Sequence, residues 1–409
     1  MSSLRFYFRT AKKIIGSENK KFSRPIVNLS IAGVASGIII MLVAVIITSG
    51  YKQVIREKVS AMGAHIRVSN YDMNYSYEPA PFNSKQDFVE AIRSMDEVRS
   101  VQFYTTKSGV VKTADQVEGI VLKGVDKTFD TLFFQTNIVE GRQLSLYDTL
   151  AAKEIVVSRQ MARKLGLQLG DKVRTYFVQD PPMQRSFTIV GIYETGLPEY
   201  DSQFAIVDLR HLQKLNRWDS TMVGGIEILL NDDSQLGNVS EQIDVLAGYQ
   251  LKAETINEIF PDIFQWIALF DTNVIVLLVI TFCVCVITML STFFIIVLEQ
   301  ISSIGILKTI GMRTRDVLCL FLTIAFKILL KGMLWGNGVA ILLCASQKYW
   351  HWIKLDAATY YISFVPVSFN VPLIIAINIV VALLCLAVMA IPSYLVAQKT
   401  SPMESIRFD

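Results

Sequence analysis

The sequence predicts an α-helical integral membrane protein with four transmembrane helices and a large mixed α/β extracytoplasmic domain between the first and the second. Composition is the first observation: of 409 residues, 52% are hydrophobic and only 18% are charged. Soluble domains carry about 25% charged residues. The second observation is the uneven distribution of charge, because long apolar runs flank one polar stretch of ordinary soluble composition, Lys52–Phe270.

Three runs contain no charged residue, namely 25–51, 272–298 and 357–398, and a fourth, 317–343, is apolar except for Lys327 and Lys331. A bilayer core of about 30 Å needs about 20 apolar helical residues. Each run is therefore long enough to span a membrane. The predicted transmembrane helices are 26–50, 268–298, 317–343 and 369–396.

Charge near the chain ends predicts the orientation. Segment 1–25 holds seven basic residues against the single acid Glu18, and basic segments stay on the cytoplasmic side. The run that follows is too long for the apolar region of a removable signal peptide. Four spans then return the tail, 397–409, to the cytoplasm. The predicted extracytoplasmic parts are 51–267 and 344–368, and 299–316 is predicted to be cytoplasmic.

The polar stretch is predicted to mix strands and helices. Residues 64–70 alternate as a strand, and 84–95 have helical periodicity. A strand at 155–157 is followed by Ser158, a suitable N-cap, and by a helix that Gly166 ends. An amphipathic helix is expected from about Ser240, long enough to run into the second span. None of the five cysteines falls in this polar stretch, so no disulfide is expected in this domain.

Sequence motifs exclude several kinds of chemistry. The chain has no GxxxxGK[ST] phosphate loop, so we expect no ATP binding by this chain alone. It also lacks CxxC, HExxH and GxSxG, and its three histidines are far apart in sequence, which gives no support for a metal or a catalytic triad. The formal net charge of +3 is too small to indicate a nucleic-acid partner. We predict a transport or signalling protein that is not itself an enzyme.

The most informative cytoplasmic piece is EQISSIGILKTIGMRTR, residues 299–315. Its apolar residues recur at three-residue spacing, Gly311 is placed to end a helix, and Arg313 and Arg315 follow. One interpretation is an amphipathic helix lying on the inner leaflet. The other is a short helix that docks into a groove on a cytoplasmic partner. The residues alone leave both open.

Several segments carry a family resemblance. The order of one span, a large domain and three spans, with SSIGILKTIGMRTRDV at 302–317 and SPMESIR at 401–407, resembles ABC transporter permeases of the macrolide-exporter and FtsX-like group. The run SIAGVASGIIIMLVAVIITSGYKQVIREKVSAMGAHIRVS at 30–69 is most similar to the lipoprotein-releasing (Lol) permeases. So is PPMQRSFTIVGIYETG at 181–196.

The resemblance implies a location and partners. The chain would be a multi-pass protein of the bacterial inner membrane, paired with a second permease and with two copies of a separate cytoplasmic ATPase. That ATPase would use ATP and Mg, and this chain would bind no cofactor. A lipoprotein would leave the outer leaflet of the membrane lipids and pass to a soluble periplasmic carrier.

The resemblance also implies sites. The residues expected to contact the ATPase are Ile304, Gly305, Leu307, Lys308, Gly311, Arg313 and Arg315. Those expected to line a substrate cavity are Met41, Val45, Thr48, Phe264, Ile267 and Phe270. Those expected to contact the carrier are Val178, Asp180, Pro181, Pro182 and Met183.

Two alternatives use the same frame. An efflux permease of the macrolide or peptide type would bind an adaptor through its outer domain. A signal transmitter of the cell-division type would activate an outer hydrolase, although its outer domain is usually much smaller. The sequence also leaves homodimer and heterodimer open.

Overall fold

A computed structural model describes residues 23–71, 77–113, 116–309 and 311–399. The predicted cytoplasmic segments 1–25 and 397–409 therefore lie almost entirely outside the described residues. The chain divides into two compact units. The transmembrane unit comprises residues up to 53 together with 266–354 and those from 364 onward, and the outer domain comprises 54–265 and 355–363.

The helices are, in chain order, α1 Ser23–Gly63, α2 Asp87–Arg93, α3 Thr131–Asn137, α4 Arg159–Leu165, α5 Pro198–Gln203, α6 Leu209–Asn216, α7 Leu236–Ala247, α8 Ile256–Ile259, α9 Pro261–Thr309, α10 Thr314–Trp350, α11 Ala357–Tyr360 and α12 Val371–Lys399. The strands are β1 Ile66–Asn70, β2 Phe82–Asn83, β3 Val98–Lys112, β4 Val117–Val125, β5 Ile138–Gly141, β6 Glu154–Ser158, β7 Lys172–Phe177, β8 Met183–Tyr193, β9 Phe204–Asp208, β10 Met222–Val223, β11 Gly225–Leu230 and β12 Leu251–Thr255.

Four of the described helices are long and apolar enough to cross a membrane. Their candidate spans are Pro25–Ser60, Pro261–Leu298, Thr314–Trp350 and Val371–Leu395. The mixed α/β domain lies in the chain between the first and the second of them, which confirms the predicted fold class. The helices extend beyond the predicted spans because amphipathic or polar turns continue them at several ends.

Side chains from all four long helices form the core of the transmembrane unit. Buried members include Ile38 and Met41 of α1, Cys285 of α9, Phe321 of α10 and Cys385 of α12. The outward faces of α9 and α12 remain largely exposed and apolar. Such faces suit contact with lipid or with another membrane helix.

The outer domain is built on a ten-stranded sheet with the order β12-β1-β11-β3-β4-β9-β6-β8-β5, in which β7 pairs with β3 and β8. The β4–β9 and β6–β8 pairs are parallel, and the other pairs of this sheet are antiparallel. A short β10–β2 pair stands apart. The long-range pairing of β1 with both β11 and β12 joins the two ends of the domain's chain.

Two apolar clusters hold helices on this sheet. One packs α2 and α7 on β1, β3, β11 and β12 through side chains such as Ile66, Phe88, Ile92, Ile228 and Ile243. The other packs α4 and α6 on the strands from β3 to β9. Burial of apolar side chains on this scale is the main stabilising contribution to such a domain.

Local signals in the sequence set the bounds of several outer helices. The Ser158 hydroxyl accepts a hydrogen bond from the Met161 N–H (2.9 Å) at the start of α4, and Gly166 ends that helix with φ +65°. Asp208 accepts from the Arg210 N–H in the same way at the start of α6 (2.9 Å). These side chains satisfy N–H groups that have no partner inside the helix.

One predicted element is wrong. The helix expected from about Ser240 into the second span instead begins at Leu236 and ends at Ala247. Strand β12, Leu251–Thr255, follows and pairs with β1 from Ile66↔Thr255 to Asn70↔Leu251. The long-range strand pairing competes with local helical periodicity here, and a single sequence does not show the distant partner.

Candidate functional site

The connection between α9 and α10 is the segment predicted to couple with an ATPase. It is not a separate helix, because α9 runs without interruption from Pro261 to Thr309. Gly311 then adopts a left-handed conformation, φ +100°, which glycine reaches without steric cost. At the start of α10, the Asp316 carboxylate accepts a hydrogen bond from the Arg313 N–H (3.2 Å).

The predicted coupling residues fall into two groups. Ile304, Gly305, Leu307 and Lys308 lie in the helical backbone of α9, and their side-chain positions lie outside what the structure describes. Gly311 and Arg313 lie in the connection and Arg315 in the first turn of α10, and all three are exposed. Two exposed guanidinium groups beside a helix start are available to an acidic partner surface. Contact with an ATPase stays a prediction.

Helix α1 packs very closely on α9 and α10. A β-carbon on Gly37 would overlap the Sγ of Cys285 on α9. On the other side, a β-carbon on Gly336 of α10 would lie 2.7 Å from the Cβ of Ile38. Small residues at such positions allow membrane helices to approach through their backbones.

A second set of contacts joins α1 and α9 near the outer end of the membrane unit. The Tyr51 ring lies 5.7 Å from the Trp266 ring and 5.2 Å from the Phe270 ring, centroid to centroid. One residue further along each helix, the Lys52 Nζ lies 2.7 Å from the Asp271 Oδ2. The sequence alone did not predict this ion pair, although Lys52 directly follows the first charge-free run and Asp271 directly precedes the second.

Both helices lead directly into paired strands of the outer domain. Only Ala64 and His65 separate α1 from β1, and the short helix α8 and Phe260 separate β12 from α9. The His65 N–H donates to the Ile228 carbonyl (3.0 Å), its carbonyl accepts from the Ile256 N–H (2.9 Å), and its Nδ1 accepts from the Leu230 N–H (2.9 Å). Burial lowers the pKa of His65, so the imidazole stays a neutral acceptor at this junction.

The residues predicted to line a substrate cavity differ in burial. Met41 is 1% exposed and belongs to the core of the four helices, and Val45 and Ile267 are also buried. Thr48, Phe264 and Phe270 are half-buried. A cavity lined by Met41 would require its neighbours in the bundle to separate. The lining role of all six residues stays a prediction.

The residues predicted to contact a carrier lie at the tip of the β7–β8 hairpin. Val178 is 90% exposed, and Asp180, Pro181 and Pro182 are exposed beside it. Met183 begins β8 and is half-buried. An exposed tip of this kind is available to a partner, and its role in carrier contact stays a prediction.

A polar contact inside the membrane unit was also missed by the sequence analysis. The side-chain amides of Asn337 on α10 and Asn378 on α12 donate to each other's carbonyl oxygens, at 2.8 and 2.9 Å. A paired amide contact of this kind holds two membrane helices in register. The signal in the sequence was limited to Asn337 in one apolar run and to Asn370 and Asn378 in the other.

Comparison with known proteins agrees with this architecture. Residues 28–246 match the family model of the MacB-like periplasmic core domain, and residues 275–401 match the FtsX-like permease C-terminal model. The chain is similar to the lipoprotein-releasing system transmembrane protein LolC of Xylella fastidiosa strain Temecula1, with 22% identity over 398 residues and 93% of both chains covered. It is also similar to LolE of Haemophilus influenzae, with 19% identity over 393 residues and 92% of both chains covered.

Among solved structures, the periplasmic region of MacB from Actinobacillus actinomycetemcomitans matches 51% of this chain and 97% of its own, with 15% identity and a TM-score of 0.36. Permeases of this kind are multi-pass inner-membrane proteins that are not themselves enzymes and that work with a cytoplasmic ATPase and a second permease. The chain belongs to the family of ABC transporter permeases that combine a MacB-like periplasmic core domain with an FtsX-like permease domain.

Proposed function

We propose that this chain is the permease subunit of a lipoprotein-releasing ABC transporter, with both termini in the cytoplasm and the α/β domain in the periplasm. The observation that supports it most is similarity to LolC over 93% of both chains. Two permease chains would assemble with two copies of a cytoplasmic ATPase that uses ATP and Mg, and this chain would bind no cofactor. The substrate would be an acylated protein in the outer leaflet, and the acceptor a periplasmic carrier.

The proposed mechanism relies on the continuity of α9. Closure of the ATPase would move the α9–α10 connection, and α9 would carry that movement to β12. Helix α1 would follow, since Gly37, Tyr51 and Lys52 fix it to α9. Because β1 and β12 are paired, displacement of the two helices would reach the outer domain as one movement.

Energetics explain why such a function needs an ATPase. Each methylene group withdrawn from lipid costs about 0.8 kcal/mol, so the acyl chains of a lipoprotein hold it firmly in the membrane. Movement of the linked helices α1 and α9 away from their other neighbours in the bundle would offer those chains an apolar surface that includes Met41 and Val45. The hairpin tip around Val178 would contact the carrier that receives the released protein.

Reconstitution tests the proposed substrate. The chain, its ATPase and any second permease are placed in liposomes with a fluorescent triacylated lipoprotein, and release to the soluble carrier is measured with ATP and with ADP. We expect release only with ATP. A matched lipoprotein whose acyl chains are absent controls for protein trapped without an anchor. ATP-dependent export of a macrolide or peptide, with no lipoprotein release, would refute the proposal.

A second experiment tests the coupling segment. Leu307→Glu is expected to abolish stimulation of the ATPase by lipoprotein. Thr309→Glu is the matched control, because successive residues turn by about 100° on a helix and position 309 faces nearly the opposite side. If the segment only lies on the inner leaflet, Leu307→Glu lowers membrane affinity and leaves stimulation intact, which would contradict ATPase contact at this residue.

The efflux alternative has one specific observation in its favour, the match of residues 28–246 to the MacB-like periplasmic core domain. It predicts an adaptor protein on the outer domain in place of a soluble lipoprotein carrier. Crosslinking from position 178 in intact cells distinguishes the two, since a lipoprotein carrier and a tube-forming adaptor differ in size and in stoichiometry.

A further inference from the structure

The outer domain contains a cavity of about 570 Å³, and none of the residues predicted for ATPase, substrate or carrier contact lines it. Its volume falls in the range of about 300–1,000 Å³ that small-ligand sites occupy. All of its lining residues belong to the outer domain. Aromatic side chains form much of the wall, among them Tyr71, Tyr77, Tyr104, Tyr200, Phe204 and Phe260.

A row of charged side chains crosses the sheet beside this cavity. In the strand register, Arg67 on β1 stands directly opposite Glu227 on β11 and Glu254 on β12. The neighbouring residues of β1, Ile66 and Val68, are fully buried in the apolar cluster on the other face of the sheet. Strand alternation therefore assigns one face to the core and the other to charged groups.

Most of these charges already have close partners. The Lys123 Nζ lies 2.7 and 2.8 Å from the two carboxylate oxygens of Glu227, and the Lys252 Nζ lies 2.8 Å from the Glu254 Oε1. The Glu258 carboxylate accepts from the Thr255 N–H at 2.7 Å. The hydrogen-bonding capacity of these groups is largely used.

Arg67 is the exception among the charged groups that line the cavity. Its ion pair with Glu227 is long, at 3.5 Å from the Arg67 Nη2 to the Glu227 Oε1. Its buried Nε–H has no acceptor among the described residues. The Arg67 Cζ lies 5.3 Å from the centroid of the Tyr104 ring, within the distance of a cation–π contact. An arginine fork with free donors matches the two oxygens of a carboxylate.

We propose that this cavity binds a monocarboxylate with an aromatic or apolar body, either a small organic acid or the carboxyl end of a peptide chain. The carboxylate would accept hydrogen bonds from Arg67, and its body would lie against the tyrosine and phenylalanine rings. The three cations of the lining are matched by the carboxylates of Glu254 and Glu258 and of the adjoining Glu227. The row is therefore close to neutral, and a ligand with one negative charge adds less unbalanced charge than a phosphate dianion. Burial raises the pKa of Tyr104 to about 12, so this wall stays neutral.

The test measures binding to the full-length chain in lipid nanodiscs by calorimetry. The probes are N-acetylphenylalanine, its uncharged amide, and the acid form of N-acetyl-Ala-Ala-Phe. We expect saturable binding of the two acids and at least tenfold weaker binding of the amide, as loss of a charge-assisted hydrogen bond implies. Tighter binding of the tripeptide identifies a peptide end as the source, and equal affinity identifies a small acid.

Variants assign the binding to Arg67. Arg67→Gln is expected to weaken binding of the acids at least tenfold, and Arg67→Lys to weaken it less while keeping the charge. Arg174→Gln is the matched control, because Arg174 is exposed on β7 and does not line the cavity. If Arg67→Gln does not fold, the same binding measurements are made with Arg67→Lys and with Tyr77→Ala, which changes a ring of the cavity wall. Equal affinity for acid and amide, no saturable binding at millimolar concentrations, or parental affinity in the folded Arg67 variants would overturn the proposal.

Discussion

Substitution of Gly37 by alanine tests the close packing of α1 on α9. The new β-carbon would overlap the Sγ of Cys285, with the Cγ2 of Thr281 at 3.5 Å. Overpacking of this kind costs about 1–3 kcal/mol. Helix propensity opposes the loss, because alanine is favoured over glycine in a helix by about 1 kcal/mol. Gly338→Ala should show the gain in helix propensity without any overpacking, since no heavy atom lies within 4 Å of the added β-carbon.

The free energy of unfolding of Gly37→Ala is therefore expected to lie below that of Gly338→Ala by the cost of overpacking alone, about 1–3 kcal/mol. A second change tests its cause. Cys285→Ala removes the Sγ, after which the nearest atom of residue 285 is its Cβ at 3.9 Å, an ordinary contact distance. The double variant Gly37→Ala with Cys285→Ala should recover most of the loss. Residues in direct contact show coupling of about 0.5–3 kcal/mol in such cycles.

The assay is reversible unfolding of the full chain in mixed micelles, with the membrane helices monitored by far-ultraviolet circular dichroism as the denaturing detergent is raised. The parent, the three single variants and the double variant are compared under one condition. Gly37→Ala should be less stable than Gly338→Ala by that cost of overpacking. If it matches Gly338→Ala, or if Cys285→Ala brings no recovery, the close approach of α1 and α9 at this level is wrong.

Two further predictions concern pH. Burial lowers the pKa of His65, so the unfolded chain takes up a proton below about pH 6.5 while the folded chain resists it. The free energy of unfolding therefore falls as pH drops below that value. His65→Asn, which keeps an acceptor for the Leu230 N–H, should flatten this pH dependence, measured by thermal unfolding in mildly alkaline and mildly acidic buffers. For Glu154, desolvation opposes ionisation, but hydrogen bonds from Arg142 and the Ser145 N–H lower its pKa overall, so its contribution is present above the unfolded pKa and is lost as pH falls through the folded pKa. Because Arg142 is about half exposed, Glu154→Gln should cost about 1 kcal/mol or less at neutral pH, and an acid transition that is unchanged in this variant would contradict the assignment.

The membrane helices could be predicted from sequence because their signal is local. A charge-free apolar run as long as 272–298 is not typical of soluble proteins, and a single sequence window is enough to recognise it. The same holds for the Ser158 cap and the Gly166 stop of α4, which depend on neighbours three residues away or fewer. In these places the chemistry that shapes the backbone is contained in the segment itself.

Features that depend on distant partners could not be predicted. Strand β12 was interpreted as helix because its pairing with β1 joins residues far apart in the chain. Arg67 and Glu227 are separated by 160 positions, so the sequence alone does not predict that they are in contact. The resemblance in 30–69 included Gly37 and His65, but the reasons for a glycine and a histidine there emerge only from Cys285 on α9 and from Leu230 on β11.

The connection between α9 and α10 bears on the proposed mechanism, because it is not a separate helix. A separate helix at 299–316 would need a hinge between itself and the second span, and part of any push would be lost in bending. Helix α9 instead continues over 49 residues, about 74 Å at a rise of about 1.5 Å per residue. Sharp kinks arise mainly at proline and glycine. Its only proline, Pro261, is the first residue, and its only glycine, Gly305, lies in the coupling segment. From Gln300 to the strand β12 connection the helix is therefore suited to transmit axial movement, and its one glycine lies at the end expected to contact the ATPase.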